Sequence, residues 1–317
     1  MIDTGAGWEW DSPMRLALVI NRAAGTFRRL PLEQTVEAIA GQFQAAGHAV
    51  EVEVCGRRDL AARLSALATR SDIDAVIAGG GDGTILTAVL AGIGRTKPLG
   101  LLPLGTLNLL ARDIGLPLDP VEAARVLAGA QEAEIDLGEV NGLPFAIWAS
   151  LGMHPRVVRR RDRLQREGLT KWPAFALAAL RAFRRYPMVT VTLAIGDNTT
   201  TVSTPLLVIS NNAWREEPLP LKRQTLDQGE LVVHIAKCNS RLSLLWLAFN
   251  ALIGRWRVGS LLETFSAHEV RVTGRKRRVM LSLDGEVTVL ASPLVFRVNP
   301  RALRMLVPPP APPEAVP

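Results

Sequence analysis

Four glycines and one aspartate crowd into Gly79-Gly80-Gly81-Asp82-Gly83-Thr84, with apolar residues on either side. Glycine lets a backbone turn tightly and come close to a ligand. A helix opening at such a loop offers N–H groups and the positive end of its dipole to a phosphate. The run also suits a plain strand-to-helix turn, although that turn needs one glycine rather than four. Asp82 is the informative side chain. Inside a phosphate cradle a carboxylate repels phosphate unless it binds metal, orients the loop or handles a proton. Phosphoryl transfer is therefore favoured over simple anion binding. The run is neither a Walker A loop, since the chain has no Gly-Lys pair, nor Gly-x-Gly-x-x-Gly. A second loop follows, Pro103-Leu104-Gly105-Thr106-Leu107-Asn108. Thr106 and Asn108 can bond phosphate, ribose or base, and Thr106 equally suits a helix N-cap.

The elements around these loops alternate. Strands are expected at Leu16 to Ile20, Ala49 to Val54, Asp74 to Ala78 and Leu99 to Pro103. Helices are expected at 32–46, 60–68, 85–91, 107–114 and 120–127. Short apolar runs alternating with helical patterns predict an α/β domain, a parallel sheet with helices on both faces. Open parallel sheets bind ligands beyond the carboxyl ends of their strands, which is where both loops fall. After about Ile135 strand patterns dominate: 145–148, 189–195, 206–209, 231–235, 270–273, 279–283 and 287–290. Two helical insertions interrupt them, 155–185 and 240–253. This half reads as a mostly antiparallel β-sandwich. The expected domains are an extension over 1–13, an α/β nucleotide-binding domain over 14–135, a β-rich domain over 136–307 and a Pro-rich tail over 308–317.

The chain has 317 residues, 48% of them hydrophobic and 21% charged, which excludes global disorder. Two cysteines, Cys55 and Cys238, exclude a disulfide framework and fit a reducing compartment. The net charge of +7 attracts polyanions. Aromatics at 5%, with one tyrosine, are poor supply for base stacking, so nucleic acid is not an expected partner. The most apolar stretch, Leu242 to Gly254, is too short to span a membrane. Six arginines between Arg156 and Arg166 precede Lys171-Trp172-Pro173 and an apolar helix. They suit either an anionic-membrane docking face, with Trp172 and Phe175 dipping in, or a solvated helix face.

The pair GGGDGT and PLGTLN, with Asn21-Arg-Ala-Ala-Gly25 after the first strand, resembles the diacylglycerol kinase catalytic-domain family, which includes bacterial lipid kinases and sphingosine kinases and shares its fold with NAD kinases. The resemblance continues through Ala111-Arg-Asp113, 135–142, 171–174, Asn211-Asn212 and Asp284-Gly-Glu286. It implies Mg-ATP as phosphoryl donor and a lipid hydroxyl as acceptor, diacylglycerol first. Asn21 and Gly25 would lie near the phosphates. Gly79, Gly80, Gly81, Asp82, Gly83 and Thr84 would form the cradle, with Gly105, Thr106 and Asn108 completing the nucleotide site.

Asp284-Gly285, flanked by alternating apolar residues, reads by itself as a tight hairpin turn. The resemblance makes Glu286 the proton acceptor, with Asp82 the rival base. It also implies a structural magnesium on an acidic loop. Here that loop is Thr225-Leu-Asp-Gln-Gly-Glu-Leu231, where Gln228 and Val232 stand at usual acidic positions. Asp227 is the remaining candidate ligand, and a hairpin turn explains it as well. Leu109 and the segment 213–218 also depart from the family and bear on the acceptor. The alternatives are a kinase for a sphingoid base or phosphatidylglycerol, an inactive nucleotide- or lipid-binding regulatory relative, and an NAD kinase. The expected location is cytoplasmic, peripheral at the inner face of the membrane. A homodimer is compatible with this reading. Trp148-Ala-Ser150-Leu-Gly152 gives only weak support to a hydrolase.

Overall fold

Short apolar runs, buried on both faces, make three of the first four strands; the other, Ala49–Cys55, alternates Val and Glu and is largely exposed. Leu16 to Ile20 is the clearest of the three, buried along its whole length. The computed structural model describes residues 13–215, 217, 222–255 and 261–309. The expected extension and Pro-rich tail lie outside the described residues, apart from 13, 308 and 309. The chain divides into two compact units. One runs to Ile135 and resumes at Arg301; the other is Asp136–Pro300.

The first unit contains β1 (Arg15–Asn21), α1 (Leu32–Ala45), β2 (Ala49–Cys55), α2 (Leu60–Thr69), β3 (Ala75–Gly80), α3 (Asp82–Leu90), β4 (Leu99–Pro103), α4 (Leu109–Asp113) and α5 (Pro120–Leu127). α1 buries Val36, Ile39, Ala40 and Phe43, the i, i+3, i+4, i+7 stripe of a helix lying on a sheet. Gly47, at φ +90°, ends it. Asp119 caps α5, accepting the N–H groups of Val121 and Glu122 at 3.0 Å each. The strands lie in the order β2-β1-β3-β4 and all run parallel. The register sets Ile20 beside Gly79 and Gly80 beside Pro103. Asn21, the glycine loop and the Pro103–Asn108 loop therefore emerge side by side from the carboxyl end of the sheet.

The second unit begins within β5 (Gln131–Val140) and continues through β6 (Leu143–Phe145), β7 (Trp148–Gly152), α6 (Met153–Arg166), α7 (Lys171–Arg185), β8 (Val189–Ile195), β9 (Asn198–Thr204), β10 (Leu206–Asn211) and β11 (Leu231–Ala236). After α8 (Arg241–Leu252) come β12 (Leu262–Ala267), β13 (Glu269–Gly274), β14 (Arg278–Leu283), β15 (Glu286–Ala291) and β16 (Leu294–Val307). β16 leaves the second unit at Arg301, and its end runs parallel to β4, Met305 beside Leu99. In the second unit one layer pairs β13 with β16 and β8, and β8 with β9. The other has the order β12-β11-β10-β7-β14-β15. The pairs given for both layers are antiparallel. Their core holds Leu151, Ile209, Val233, Leu281 and Val270 around Phe145 and Phe296, whose rings meet edge to face at 6.3 Å. The fold is thus the expected α/β domain followed by an antiparallel β-sandwich.

Several expected elements shift. The helix expected over 107–114 shortens to α4. The strand expected over 145–148 is broken at 146–147 into β6 and β7. The insertion 155–185 is two helices, separated at Gly168 with φ +101°. The sequence reading has no strand at β5, β9, β12 or β16.

Candidate active site

The glycine loop is built on close approach. None of Gly79, Gly80, Gly81 or Gly105 has positive φ. A Cβ on Gly80 would collide with Thr84, and one on Gly105 with the backbone of Gly81 and with Asn108 Oδ1. One on Gly81 would stand 3.2 Å from Gly105 Cα. The two loops thus touch backbone to backbone, which only glycine permits. α3 begins directly at Asp82, and its N-cap, Gly81, has no side chain to cover the first N–H groups. That is the arrangement by which a helix start receives an anion.

The expected polar residues hold this cradle together. Asn21, buried at the end of β1, donates from Nδ2 to Thr84 Oγ1 at 3.2 Å and accepts the Ala23 N–H at 3.0 Å. Gly25 opens a single 3-10 turn, and the next residue, Thr26, donates its N–H to Leu104 O at 3.1 Å. A Cβ on Gly25 would lie 3.4 Å from Thr106 Oγ1. Thr106 itself is exposed. Asn108 is buried at φ 49°, a left-handed conformation that asparagine tolerates. Its Oδ1 accepts the Gly105 N–H at 2.9 Å, and its Nδ2 donates to Pro103 O and Gly105 O. Asn108 shapes the loop with contacts at both ends of its amide.

Asp82 does not cap its own helix. Its Oδ1 accepts the N–H groups of Leu109 at 2.8 Å and Leu110 at 3.4 Å, so it caps α4 from across the site. Burial raises its carboxyl pKa, while the Leu110 and Leu109 amides oppose the rise. The geometry gives Asp82 an anchoring part, tying one loop to the other. Asn21, Gly25, Gly79 to Thr84, Gly105, Thr106 and Asn108 all gather at one end of one sheet.

Glu286, Asp284 and Asp227 belong to the other unit. Asp284 and Gly285 have φ 46° and 85°, and Leu283 pairs with Glu286 across them. This is the two-residue hairpin read from Asp-Gly alone. Glu286 opens β15 and is exposed. Asp284 does more than turn the chain. Its Oδ1 accepts the N–H groups of Ile147 and Trp148 at 2.9 Å each, and its Oδ2 that of Ala146 at 2.6 Å. It thereby holds the break between β6 and β7 against the hairpin that carries Glu286. Nothing local in the sequence announces this, because the amides come from residues 146–148.

A buried polar cluster supports the same break. Asn211 Nδ2 donates to Asp136 O at 2.7 Å and Ala146 O at 3.2 Å. Asp136 Oδ2 accepts from Asn212 Nδ2 at 3.0 Å and from the Gly229 N–H at 2.6 Å. Arg223 Nη1 donates to Ala146 O at 2.6 Å. Asp136 and Arg223 have almost no exposed surface; the sequence reading cites Asp136 only within 135–142 and gives neither residue a role.

Among the described residues no three or more His, Cys, Asp or Glu side chains group to hold a metal. Asp227 is thus not part of a carboxylate cage, and the loop around it serves Asp136 through Leu226 O and the Gly229 N–H. Ser150 lies within β7, 1% exposed, hydrogen-bonded to His154 Nδ1 at 2.7 Å. It is not at the exposed strand-to-helix apex that a serine nucleophile needs. Burial, with Arg161 nearby, depresses the His154 pKa to about 4.

Comparison with known proteins adds to this geometry. The diacylglycerol kinase catalytic domain matches residues 15–140, and the YegS C-terminal NAD kinase beta sandwich-like domain matches 148–307. A "Probable lipid kinase YegS-like" protein of Chromohalobacter salexigens is 36% identical over 131 residues, 40% of this chain and 42% of that one. A protein of the same description from Pseudomonas aeruginosa is 38% identical over 128 residues, 39% of this chain and 41% of that one. The chain therefore spans less than half the length of these relatives in the matched stretch. Among solved structures, a "putative diacylglycerol kinase" of Bacillus anthracis has a TM-score of 0.75 at 20% identity, covering 93% of this chain and 96% of that one. That likeness concerns the fold.

Proposed function

Because the chain belongs to the family in which a diacylglycerol kinase catalytic domain is joined to a YegS C-terminal NAD kinase beta sandwich-like domain, we propose that it is an ATP-dependent lipid kinase, with diacylglycerol as the first acceptor. The observation that carries this reading is the backbone contact between the glycine loop and the Pro103–Asn108 loop, beside the uncovered start of α3. A phosphate chain fits there against N–H groups, where a Cβ on Gly80, Gly81 or Gly105 would crowd the loops.

ATP supplies the γ-phosphoryl group. The start of α3 and the loop glycines receive its phosphates, and Asn21 holds Thr84 in place beneath them. Asp82 and Asn108 keep the second loop closed on the first. The lipid hydroxyl oxygen bonds to the γ-phosphorus as the bond to the bridging oxygen breaks. Its proton passes to Glu286, and ADP leaves. Magnesium commonly binds through substrate phosphates and one or two carboxylates, and the described residues offer no cage of their own. A peripheral position on an anionic membrane brings such an enzyme to its acceptor.

The test is transfer from γ-labelled Mg-ATP to a panel of diacylglycerol, phosphatidylglycerol, sphingosine and NAD in mixed micelles. Label in diacylglycerol is expected. Label in another lipid corrects the acceptor, label in NAD removes the lipid-kinase reading, and ATP binding with no transfer favours a regulatory role.

A further inference from the structure

α8 is apolar nearly all round: Arg-Leu-Ser-Leu-Leu-Trp-Leu-Ala-Phe-Asn-Ala-Leu. A soluble surface helix carries an apolar stripe on one face only; an all-round apolar helix is normally buried or in lipid. Here Leu244, Leu247 and Asn250 supply the buried stripe, the two leucines packing near Phe183, Tyr186 and Met153. The rest faces outward. Leu242 is 78% exposed, and Leu245, Trp246, Phe249, Leu252 and Ile253 are each about half exposed. The Trp246 and Phe249 rings stack at 5.9 Å. Single exposed apolar residues are ordinary, but a contiguous patch of this kind marks an interaction surface.

The charges around the patch indicate what covers it. Neither 170–185 nor 238–255 contains an Asp or Glu. Arg181, Arg184 and Arg185 on α7 are exposed, as are Arg241 and Arg255 at the two ends of α8. Arg241 donates to Arg184 O at 2.7 Å, and Tyr186 donates to Cys238 O at 2.6 Å, so the basic end of α7 is fastened to the start of α8. The exposed Trp172, Phe175, Leu177 and Leu180 extend apolar surface along α7. Large aromatic and aliphatic side chains edged by arginine, without acids, are the composition of a helix lying in the headgroup boundary of an anionic bilayer. No helix among the described residues is long and apolar enough to cross a membrane.

We propose that α8 is the membrane-inserting element of this chain, its Leu242, Leu245, Trp246 and Phe249 entering the acyl boundary while the arginines of α7 and α8 meet anionic headgroups. The inference deepens the lipid-kinase reading and rests on it for the choice of a bilayer over a second copy of the chain. For this role the sequence singled out the basic and apolar stretches of 156–185, with the basic run Gly274-Arg-Lys-Arg-Arg278. α8, absent from that reading, carries the larger exposed apolar face.

The test is flotation of the full chain with vesicles of phosphatidylglycerol and phosphatidylcholine, comparing wild type with a Leu245→Ser, Phe249→Ser double variant. The expected result is at least about a tenfold loss of vesicle partitioning at an unchanged unfolding temperature. In the wild type, brominated acyl chains should quench tryptophan emission, and Trp246→Phe should remove part of that quenching. If the double variant folds poorly, Leu242→Glu alone gives the same reading. Binding equal to wild type in these variants overturns the proposal, as does a wild type that ignores vesicles. A wild-type dimer that the variants split, without change in vesicle binding, assigns the face to a second copy and also overturns it. Lipid labelling in micelles is scored separately. Vesicle binding that depends on α8 in a chain that labels no lipid leaves the surface standing and removes the kinase reading.

Discussion

Asp82 and Asp284 are both carboxylates that accept backbone N–H groups from a distant part of their own unit, and each fixes a chain segment that carries residues of the proposed site. Asp284 satisfies three amides at a break between strands. Removing a charged acceptor leaves buried donors unpaired, at about 1–3 kcal/mol for each. Asp284→Ala should therefore destabilise the chain by about 3 kcal/mol or more in denaturant unfolding. Asp284→Asn, which suits the left-handed φ and keeps one acceptor oxygen, should cost less. Asp82→Asn keeps an oxygen for the Leu109 and Leu110 amides. If Asp82 anchors, the variant should retain ATP affinity and most of kcat, whereas Asp82→Ala should lose ATP affinity. If Asp82 is the base, Asn should be as damaging to kcat as Ala. His154 supplies a pH test. Its pKa is depressed from 6.5 to about 4 in the fold, so between these values the unfolded chain binds the extra proton. Stability should fall as pH drops from 6.5 towards 4, and His154→Gln should flatten that part of the curve.

At the scale of elements, the glycine loop is an argument about space. Gly105→Ala sets a Cβ against Gly81 backbone, which has no side chain that can swing aside. It should weaken ATP binding by about tenfold or more and cost roughly 1–3 kcal/mol of stability. Gly41, inside α1, has open space where a Cβ would stand, with no neighbouring atom within 4 Å. Gly41→Ala should stabilise by up to about 1 kcal/mol and leave ATP affinity unchanged. Both effects are read by calorimetry of unfolding and of nucleotide binding. The loops and buried strands of the first unit were legible because they are locally encoded: apolar runs, a proline or aspartate at a helix start, glycines where backbones touch. Two of the strands that escaped reading, β9 and β12, lack a continuous apolar run. β9 is Asn-Thr-Thr-Thr-Val-Ser-Thr at the edge of its layer, and β12 is likewise an edge strand. An edge strand need not show the apolar alternation on which strand reading depends. The Asp284 amides and the Asp136–Asn212 pair were illegible for another reason: their partners are remote in sequence, and an Asp-Gly turn explains itself without them.

For the whole molecule, a parallel α/β unit carries the proposed phosphate cradle, and an antiparallel sandwich carries Glu286 on a braced hairpin and α8 as an apolar face. The division of labour makes distinct demands on binding and on turnover. In the function we propose, the cradle would set ATP affinity and Glu286 the rate at which the hydroxyl loses its proton. The most direct measurement is phosphoryl transfer from ATP to diacylglycerol in micelles by wild type and Glu286→Gln, with the ATP Kd of each determined independently. The account predicts labelled phosphatidic acid from the wild type, and a kcat lowered by about 10²–10⁴ in the variant at an unchanged ATP Kd. A wild type that binds ATP and labels no lipid, or a Glu286→Gln variant that turns over as fast as wild type, would contradict it.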